Sequence, residues 1–399
     1  MIGSSTPLSI LLADDDDLVR DLVGMTLEHL GCTVVTAEDG AAALETLHSR
    51  HFDVLVTDWM MPRVDGLELV RRVREQTSLE EYLHIIMMTA KGEEQTVRHA
   101  LAAGVDDFLQ KPVDPLQIEL GIASARRVVD LQRRLTQRNR RLADAQARIQ
   151  ADLDAAAEAQ QRLLPTPQMQ QAIRYGWKVQ PSLTIGGDTL NVLPVAPDRL
   201  LFFHLDVSGH GIRSALGSFT MNTRISLLAP SKPEQLLDTV AIVNADMTAQ
   251  QAGESYLTMV AGLVDQRTGE VVLVRAGHPL PLLVQAGGRS EWVEEGGLPL
   301  GLFDEVEHSL VRLSLGPGDR LILYSDGVTD SGVGDDQLGE AGLKAFAETH
   351  STQTLPAFLN SLEEMLAQKW NGNPPEDDIS VLVIERAPDT ERGDTRDPL

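Results

Sequence analysis

Four consecutive aspartates, Asp14–Asp17, follow directly on the apolar run from Leu8 to Ala13. Neighbouring carboxylates repel one another and need a cation or solvent to ionise together. A helix cap accounts for part of the run, because Asp16 or Asp17 would favour the amino end of the next helix. It does not account for Asp14 and Asp15, which emerge straight from a strand-like segment. Asp58 leaves another such segment in Leu55-Val-Thr-Asp-Trp-Met-Met-Pro62. Three carboxylates can therefore converge on a hard divalent ion such as Mg²⁺. Thr89 and Lys111 bring a hydroxyl and a fixed positive charge to the same rim. A carboxylate flanked by Mg²⁺ and an ammonium can accept a phosphoryl group, since the cations neutralise charge on the transferring oxygens.

A second series of acids lies further along: Asp188 after Gly186-Gly187, Asp206 in Leu205-Asp-Val-Ser-Gly-His-Gly211, Asp326 in Tyr324-Ser-Asp-Gly327, and the pair Asp377-Asp378. Each is read as a carboxylate at the end of an apolar run, with glycine beside three of the four sites. Taken singly, such residues are ordinary turn formers. Four in series suggest an oxygen-only cage suited to Mg²⁺ or Mn²⁺ rather than zinc. His210 is read as a turn residue of the Asp206 loop rather than a general acid, because divalent cations lower the pKa of water without a base.

Other chemistries are excluded. The chain has no Gly-Lys dipeptide and hence no P-loop, and Glu38 stands six after Cys32 where a cysteine-dependent phosphatase needs arginine. Gly186-Gly187-Asp188 superficially matches a diguanylate cyclase signature, but Thr189 and Leu190 follow in place of Glu and Phe. Cys32 is the sole cysteine, which removes an intrachain disulfide and a cysteine zinc site.

The elements that must hold these residues follow from periodicity. Apolar runs at Leu8–Ala13, Cys32–Thr36, Phe52–Thr57, His84–Thr89 and Asp106–Leu109 alternate with helical patterns. They predict an α/β fold, a doubly wound five-stranded parallel sheet with ligands at the carboxyl ends of its strands. From Leu116 to Leu164 the only glycine is Gly121 and there is no proline. Val128, Leu135, Leu142, Ile149, Ala156 and Leu163 recur every seven residues, and Leu131, Ala145 and Ala159 form a weaker second row. This predicts one long helix that pairs as a parallel dimeric coiled coil. A basic run on it, Arg126 to Arg148, opposes the charge of the rest of the chain and could dock on acidic surface of the flanking domains. Pro165 and Pro167 end the helix. From Tyr175 to Arg386, strand runs at Leu200–Val207, Tyr256–Asp265, Val271–Ala276, Arg320–Ser325 and Ile379–Glu385 mix with helices near Ile212–Leu228, Pro233–Gln251 and Thr354–Lys369. Turn signals such as Arg267-Thr-Gly269 predict an α+β sandwich of two antiparallel sheets flanked by helices. The expected domains are 1–117, a linker helix 118–165, a second domain 166–387 and a disordered tail 388–399.

The 399 residues suit two or three domains, and 42% hydrophobic composition supports real cores. A net charge of −25 disfavours binding to nucleic acid or anionic membrane. No apolar stretch reaches about 18 residues, so no membrane span is expected. The start of the chain lacks a basic region and a cleavage-like site, and a cytoplasmic location is expected.

Residues Leu8 to about Gln117 resemble the receiver domain of two-component response regulators. The resemblance implies an acidic pair at Asp14 and Asp15, a phospho-acceptor at Asp58, a switch hydroxyl at Thr89, and a lysine at Lys111. It also implies a metal-binding carbonyl at Met60 and a rotating aromatic at Phe108, with a histidine kinase as phosphoryl source. Asp17 stands where many members have proline.

Residues Ile173 to Arg386 resemble the metal-dependent PPM family of protein serine/threonine phosphatases, in its bacterial branch acting in sporulation, stress and sigma-factor partner switching. That implies two Mn²⁺ or Mg²⁺ ions, a bridging Asp206 with the Val207 carbonyl beside it, and further ligands at Asp188, Asp326 and Asp377 or Asp378. Ala276-Gly-His-Pro279 and Leu298-Pro-Leu-Gly301 are further landmarks, expected to shape the sheet and loops. The chain departs from the family at Thr189-Leu190-Asn191, where relatives carry aromatics and another acid. The implied activity is hydrolysis of phosphoserine or phosphothreonine on a partner, an anti-sigma-factor antagonist in relatives. The competing expectation is an adaptor whose phosphatase-like domain binds without turnover.

Overall fold

The computed structural model describes residues 7–76, 82–90, 94–209, 211–251, 255–332, 334–370, 372 and 374–388. All but the first residue of the expected tail therefore lies outside the described residues, as does His210. The chain divides into two units, Met1–Arg148 and Ile149–Leu399.

In the first unit, strands β1 (Ser9–Ala13), β2 (Thr33–Ala37), β3 (Val54–Asp58), β4 (His84–Thr89) and β5 (Asp107–Gln110) alternate with helices. These are α1 (Asp17–His29), α2 (Gly40–Ser49), α3 (Gly66–Gln76), α4 (Glu94–Ala103) and the start of α5 (Pro115–Gln161). The sheet is parallel, in the order β2-β1-β3-β4-β5. Alternate residues of the strands enter opposite cores. Ile10, Leu12, Val54, Val56, Ile86 and Met88 pack on one side, and Leu11, Ala13, Leu55, Ile85 and Met87 on the other. Burial of both faces is why these strands read as continuous apolar runs. The strand order reverses between β1 and β3, which opens a crevice at their carboxyl ends.

Helix α5 first completes that unit. Ile118, Ile122, Ala125 and Val129 are buried in the core, and Gly121 is buried beside them. Beyond Val129 the apolar seam leaves the core, and Leu131, Leu135, Leu142 and Ile149 are 51–67% exposed. The helix closes at Gln161, slightly before the expected end, since the conformation required before Pro165 opposes a further turn.

The second unit has two five-stranded sheets, ordered β13-β10-β9-β8-β7 and β12-β11-β14-β15-β6. The first contains β7 (Asp188–Ala196), β8 (Arg199–Val207), β9 (Leu257–Asp265), β10 (Glu270–Ala276) and β13 (Val311–Ser314). The second contains β6 (Ile173–Gln180), β11 (Leu282–Val284), β12 (Ser290–Trp292), β14 (Arg320–Tyr324) and β15 (Ile379–Arg386). Their strand pairs are antiparallel. Leu190, Phe202, Val260 and Leu273 of one sheet meet Leu323, Leu382 and Ile384 of the other in a shared core. Helices α6 (Ile212–Leu228) and α7 (Pro233–Gln251) cover the outer face of the first sheet. Helices α9 (Gly339–Thr349) and α10 (Leu355–Lys369) cover the second. The short α8 (Asp326–Thr329) follows β14. Among the described residues, no helix is long and apolar enough to cross a membrane.

One sequence expectation needs correction at this level. Asp188 opens β7 after the glycine turn instead of closing an apolar run, whereas Asp326 follows the buried strand β14 with only Ser325 between and opens α8.

Candidate functional site

The crevice of the first unit gathers the first acidic set. Oxygens of Asp14, Asp15 and Asp58 lie within 4.8 Å of one another. Asp14 is fully buried, Asp58 nearly so, and Asp15 faces solvent. Lys111 Nζ lies 2.8 Å from Asp14 Oδ2 and 2.6 Å from Asp58 Oδ1, reaching both acids from the end of β5. Burial pushes the Asp58 carboxyl above its usual range, with the Asp14 charge adding to this and Lys111 opposing it. Burial works against the Lys111 charge, but hydrogen bonds to the two carboxylates prevail and raise its pKa.

Backbone geometry shapes the same crevice. Asp16 caps α1, accepting from Leu18 N at 2.9 Å, while Asp17 pairs with Arg20, so the later two acids of the run serve the helix. Gly66 N donates to Trp59 O at 2.9 Å, folding the loop after Asp58 back on itself. A Cβ at Gly66 would stand 2.0 Å from Asp58 O, so only glycine fits there. The sequence reading did not single out this glycine. Thr89 ends β4, and its carbonyl accepts from Lys111 N at 2.8 Å. Phe108 is half-buried against the second core of this unit, and the Met60 side chain is exposed.

In the second unit, the antiparallel register of β7 and β8 sets Asp188 directly opposite Asp206, and β9 sets Thr258 opposite Asp206 on the other side. Residues paired in register project to the same face. Burial, and then the negative charges of Asp326, Asp377 and Asp378, push Asp206 up to about 7. Asp326 is raised by burial and by Asp377. Asp188, buried, is raised well above the carboxylate range by burial and Asp206, against the hydrogen bonds of Ser380 and Ser325. Acids from β7, β8, α8 and the approach to β15 thus lie near enough for their charges to act on one another. An oxygen-only donor set whose crowded charges favour protonation suits a hard divalent cation, so these residues fit Mg²⁺ or Mn²⁺.

The pair Asp377-Asp378 divides by geometry. Asp378 Oδ1 accepts from Ser182 N at 2.8 Å and Ser182 Oγ at 2.9 Å, and its Oδ2 accepts from Gly187 N at 2.5 Å. It is buried and pins the Gly186-Gly187 turn, whereas Asp377 is exposed. A Cβ at Gly187 would lie 2.8 Å from Val207 O and one at Gly327 2.2 Å from Asp378 O, so the glycines permit these close approaches. Asn191, at the departure from the family pattern, turns its amide toward Asn222 Oδ1 on α6 at 3.2 Å.

Two further contributors were not foreseen. Gln160, in the last turn of α5, donates to Gly186 O at 2.7 Å and accepts from Gly186 N at 3.4 Å, so the helix end grips the turn before Asp188. A cavity of about 360 Å³ lies there, lined by Gln160, Leu164, Trp177, Gly186, Asp188 and Asp378 among others. The second contributor is a buried polar chain. Ser380 Oγ lies 2.6 Å from Asp188 Oδ2 and 2.9 Å from His204 Nε2, and His204 Nδ1 lies 2.7 Å from His278 Nε2. Only His278 carried any signal in the sequence, through its place in Ala276-Gly-His-Pro279.

Known proteins match each half separately. The response regulator receiver domain matches residues 10–122, and Stage II sporulation protein E (SpoIIE) matches residues 196–387. The chemotaxis protein CheY of Pseudomonas aeruginosa is 40% identical over 106 residues, covering 26% of this chain and 85% of that protein. The probable transcriptional regulator ycf27 of Galdieria sulphuraria is 36% identical over 121 residues, 30% of this chain and 46% of that one. The chain thus spans less than half of that relative's length. The solved SiaA-PP2C domain of Pseudomonas aeruginosa aligns with a TM-score of 0.53 at 21% identity, covering 61% of this chain and 99% of that chain, a likeness of fold. The chain belongs to the response regulators: its receiver domain is followed by a domain that matches the SpoIIE phosphatase family over residues 196–387 and has the PP2C fold.

Proposed function

We propose that the protein is a two-component response regulator with a phosphatase output. In this reading a histidine kinase phosphorylates Asp58, and that event controls metal-dependent hydrolysis of phosphoserine or phosphothreonine on a partner protein. The partner class we favour is an anti-sigma-factor antagonist, on the likeness to SpoIIE. The receiver would occupy 1–117, the linker 118–165 and the phosphatase domain 166–387. The observation that carries the enzymatic half is the register that sets Asp188 opposite Asp206, within reach of the negative charges of Asp326 and Asp377.

Within the receiver, Asp14, Asp15, Asp58 and the Met60 carbonyl would hold Mg²⁺. Lys111 stands ready to pair with the new phosphoryl charge, and Thr89 and Phe108 would respond to it. In the phosphatase domain, Asp206, the Val207 carbonyl, Asp188, Asp326 and Asp377 would hold two Mn²⁺ or Mg²⁺ ions, while Asp378 fixes the turn beneath them. When bound, such ions polarise phosphate oxygens and lower the pKa of water. Asp188 is buried and Asp206 half-buried beside it. The exposed heptad seam of α5 supports a parallel homodimer. The grip of Gln160 on Gly186 supports control through that helix.

One observation favours a second reading. Among the described residues, the carboxylates of the phosphatase domain are not drawn within 4.8 Å as the receiver trio is. A receiver-controlled adaptor without turnover fits that spacing. Hydrolysis of a generic phosphoester by metal-stripped protein, titrated with Mn²⁺, separates the two. Turnover that appears with Mn²⁺ and vanishes in Asp206→Asn supports the enzyme. Absence of turnover in Mn²⁺-loaded, receiver-phosphorylated protein establishes the adaptor instead.

A further inference from the structure

The core between the two sheets is apolar except at the end nearest the acidic site. There His204 and Ser380 are fully buried and His278 nearly so, amid Leu190, Val260 and Leu382. Buried polar groups at such a place destabilise unless each is hydrogen-bonded. Here they are linked in series. Thr258 Oγ1 lies 2.8 Å from His278 Nδ1, His278 Nε2 lies 2.7 Å from His204 Nδ1, His204 Nε2 lies 2.9 Å from Ser380 Oγ, and Ser380 Oγ lies 2.6 Å from Asp188 Oδ2. Both nitrogens of both rings are used.

The series admits one donor direction once Asp188 is ionised, the state in which a carboxylate can ligate a cation. An ionised carboxylate only accepts. The single Ser380 proton must point at Asp188, so His204 Nε2–H donates to Ser380. His204 Nδ1 must then accept from His278 Nε2–H, and His278 Nδ1 from the Thr258 hydroxyl. Neutral rings complete the series, since each then offers one donor and one acceptor nitrogen. Thr258 sits opposite Asp206 on β9, so the series starts and ends on the cross-strand row that carries the two acids.

We propose that Thr258, His278, His204 and Ser380 are positioning residues, a unidirectional hydrogen-bond series that fixes the orientation of the Asp188 carboxylate and thereby sets the divalent-cation affinity of the phosphatase domain. The inference rests on the metal-site reading above. Residues that orient a ligating group in this way typically govern metal affinity by about ten- to a hundredfold.

The test is calorimetric titration of Mn²⁺ into metal-stripped, full-length protein carrying Asp14→Asn and Asp15→Asn to silence the receiver site, with melting curves of each variant. Ser380→Ala and His278→Leu are expected to weaken Mn²⁺ binding about tenfold or more. Excess Mn²⁺ should restore their kcat without a change in KM for a phosphoester. Ser380→Thr and His278→Gln, which keep a donor and an acceptor, should remain near the parent affinity. Unchanged affinity in Ser380→Ala, beside a parent that binds, overturns the proposal. If Ser380→Ala does not fold, Thr258→Val decides at the half-buried far end: weaker binding with an unaltered melting curve supports the series, and unchanged binding overturns it. A parent protein that binds no Mn²⁺ overturns the metal-site reading itself, and this inference with it.

Discussion

Asp377 and Asp378 are adjacent in the chain and opposite in surroundings, the first exposed and the second buried. Both Asp378 oxygens are consumed by Ser182 and Gly187, so Asp378→Ala would strand three donors, the buried Gly187 N among them at about 1–3 kcal/mol. Thermal unfolding should show that loss, whereas Asp377→Asn should melt like wild type and lose Mn²⁺-dependent turnover. Asp206 gives a pH prediction for the metal-free protein. Its folded pKa of about 7 lies above the ordinary 3.8, so the folded state holds a proton that the unfolded chain releases earlier. The stabilisation is full below the unfolded value, shrinks as pH rises from about 4, and is lost above about 7. The melting temperature of stripped protein should therefore fall across that window, and Asp206→Asn should flatten the slope. In the receiver, Gly66→Ala would drive a methyl into Asp58 O. The expected result is lower stability and impaired labelling of Asp58 by an acyl-phosphate donor, read by mass spectrometry.

Helix α5 is where the elements divide their work. Its first turns are core to the receiver sheet, its middle exposes Leu131, Leu135, Leu142 and Ile149, and its last turn holds Gly186 through Gln160. Heptad spacing made the helix and its seam legible in the sequence, because a seven-residue repeat is local. The grip of Gln160 was not legible, since the partner lies 26 residues on and glutamine has no spacing signature. Leu142→Asp with Ile149→Asp should shift sedimentation velocity from dimer to monomer, as charge in a heptad seam opposes pairing. Gln160→Ala should leave the fold intact and narrow the difference in phosphatase rate between phosphorylated and unphosphorylated protein. An unchanged ratio removes Gln160 from the coupling.

For the whole molecule, the question is whether two chemically separate events share an element. The phosphoryl group of Asp58 and the phosphate of a substrate never meet in the proposed scheme, so coupling requires a helix with two states that both ends bias. Four phosphatase rates decide it: wild type and Asp58→Ala, each with and without an acyl-phosphate donor. Wild type alone should respond, and four equal rates would end the claim of control.

The sequence by itself determined the two sheet classes and the long helix, and it singled out the aspartates of both series, because apolar periodicity and short acidic turns are local properties of the chain. Tertiary structure decided which acids work together: the register that faces Asp188 with Asp206, the capture of Asp378 by Ser182 and Gly187, and the buried series through His204 and Ser380. Those pairings join residues up to 196 positions apart. Strand order and sheet packing bring them together, and no local pattern encodes either.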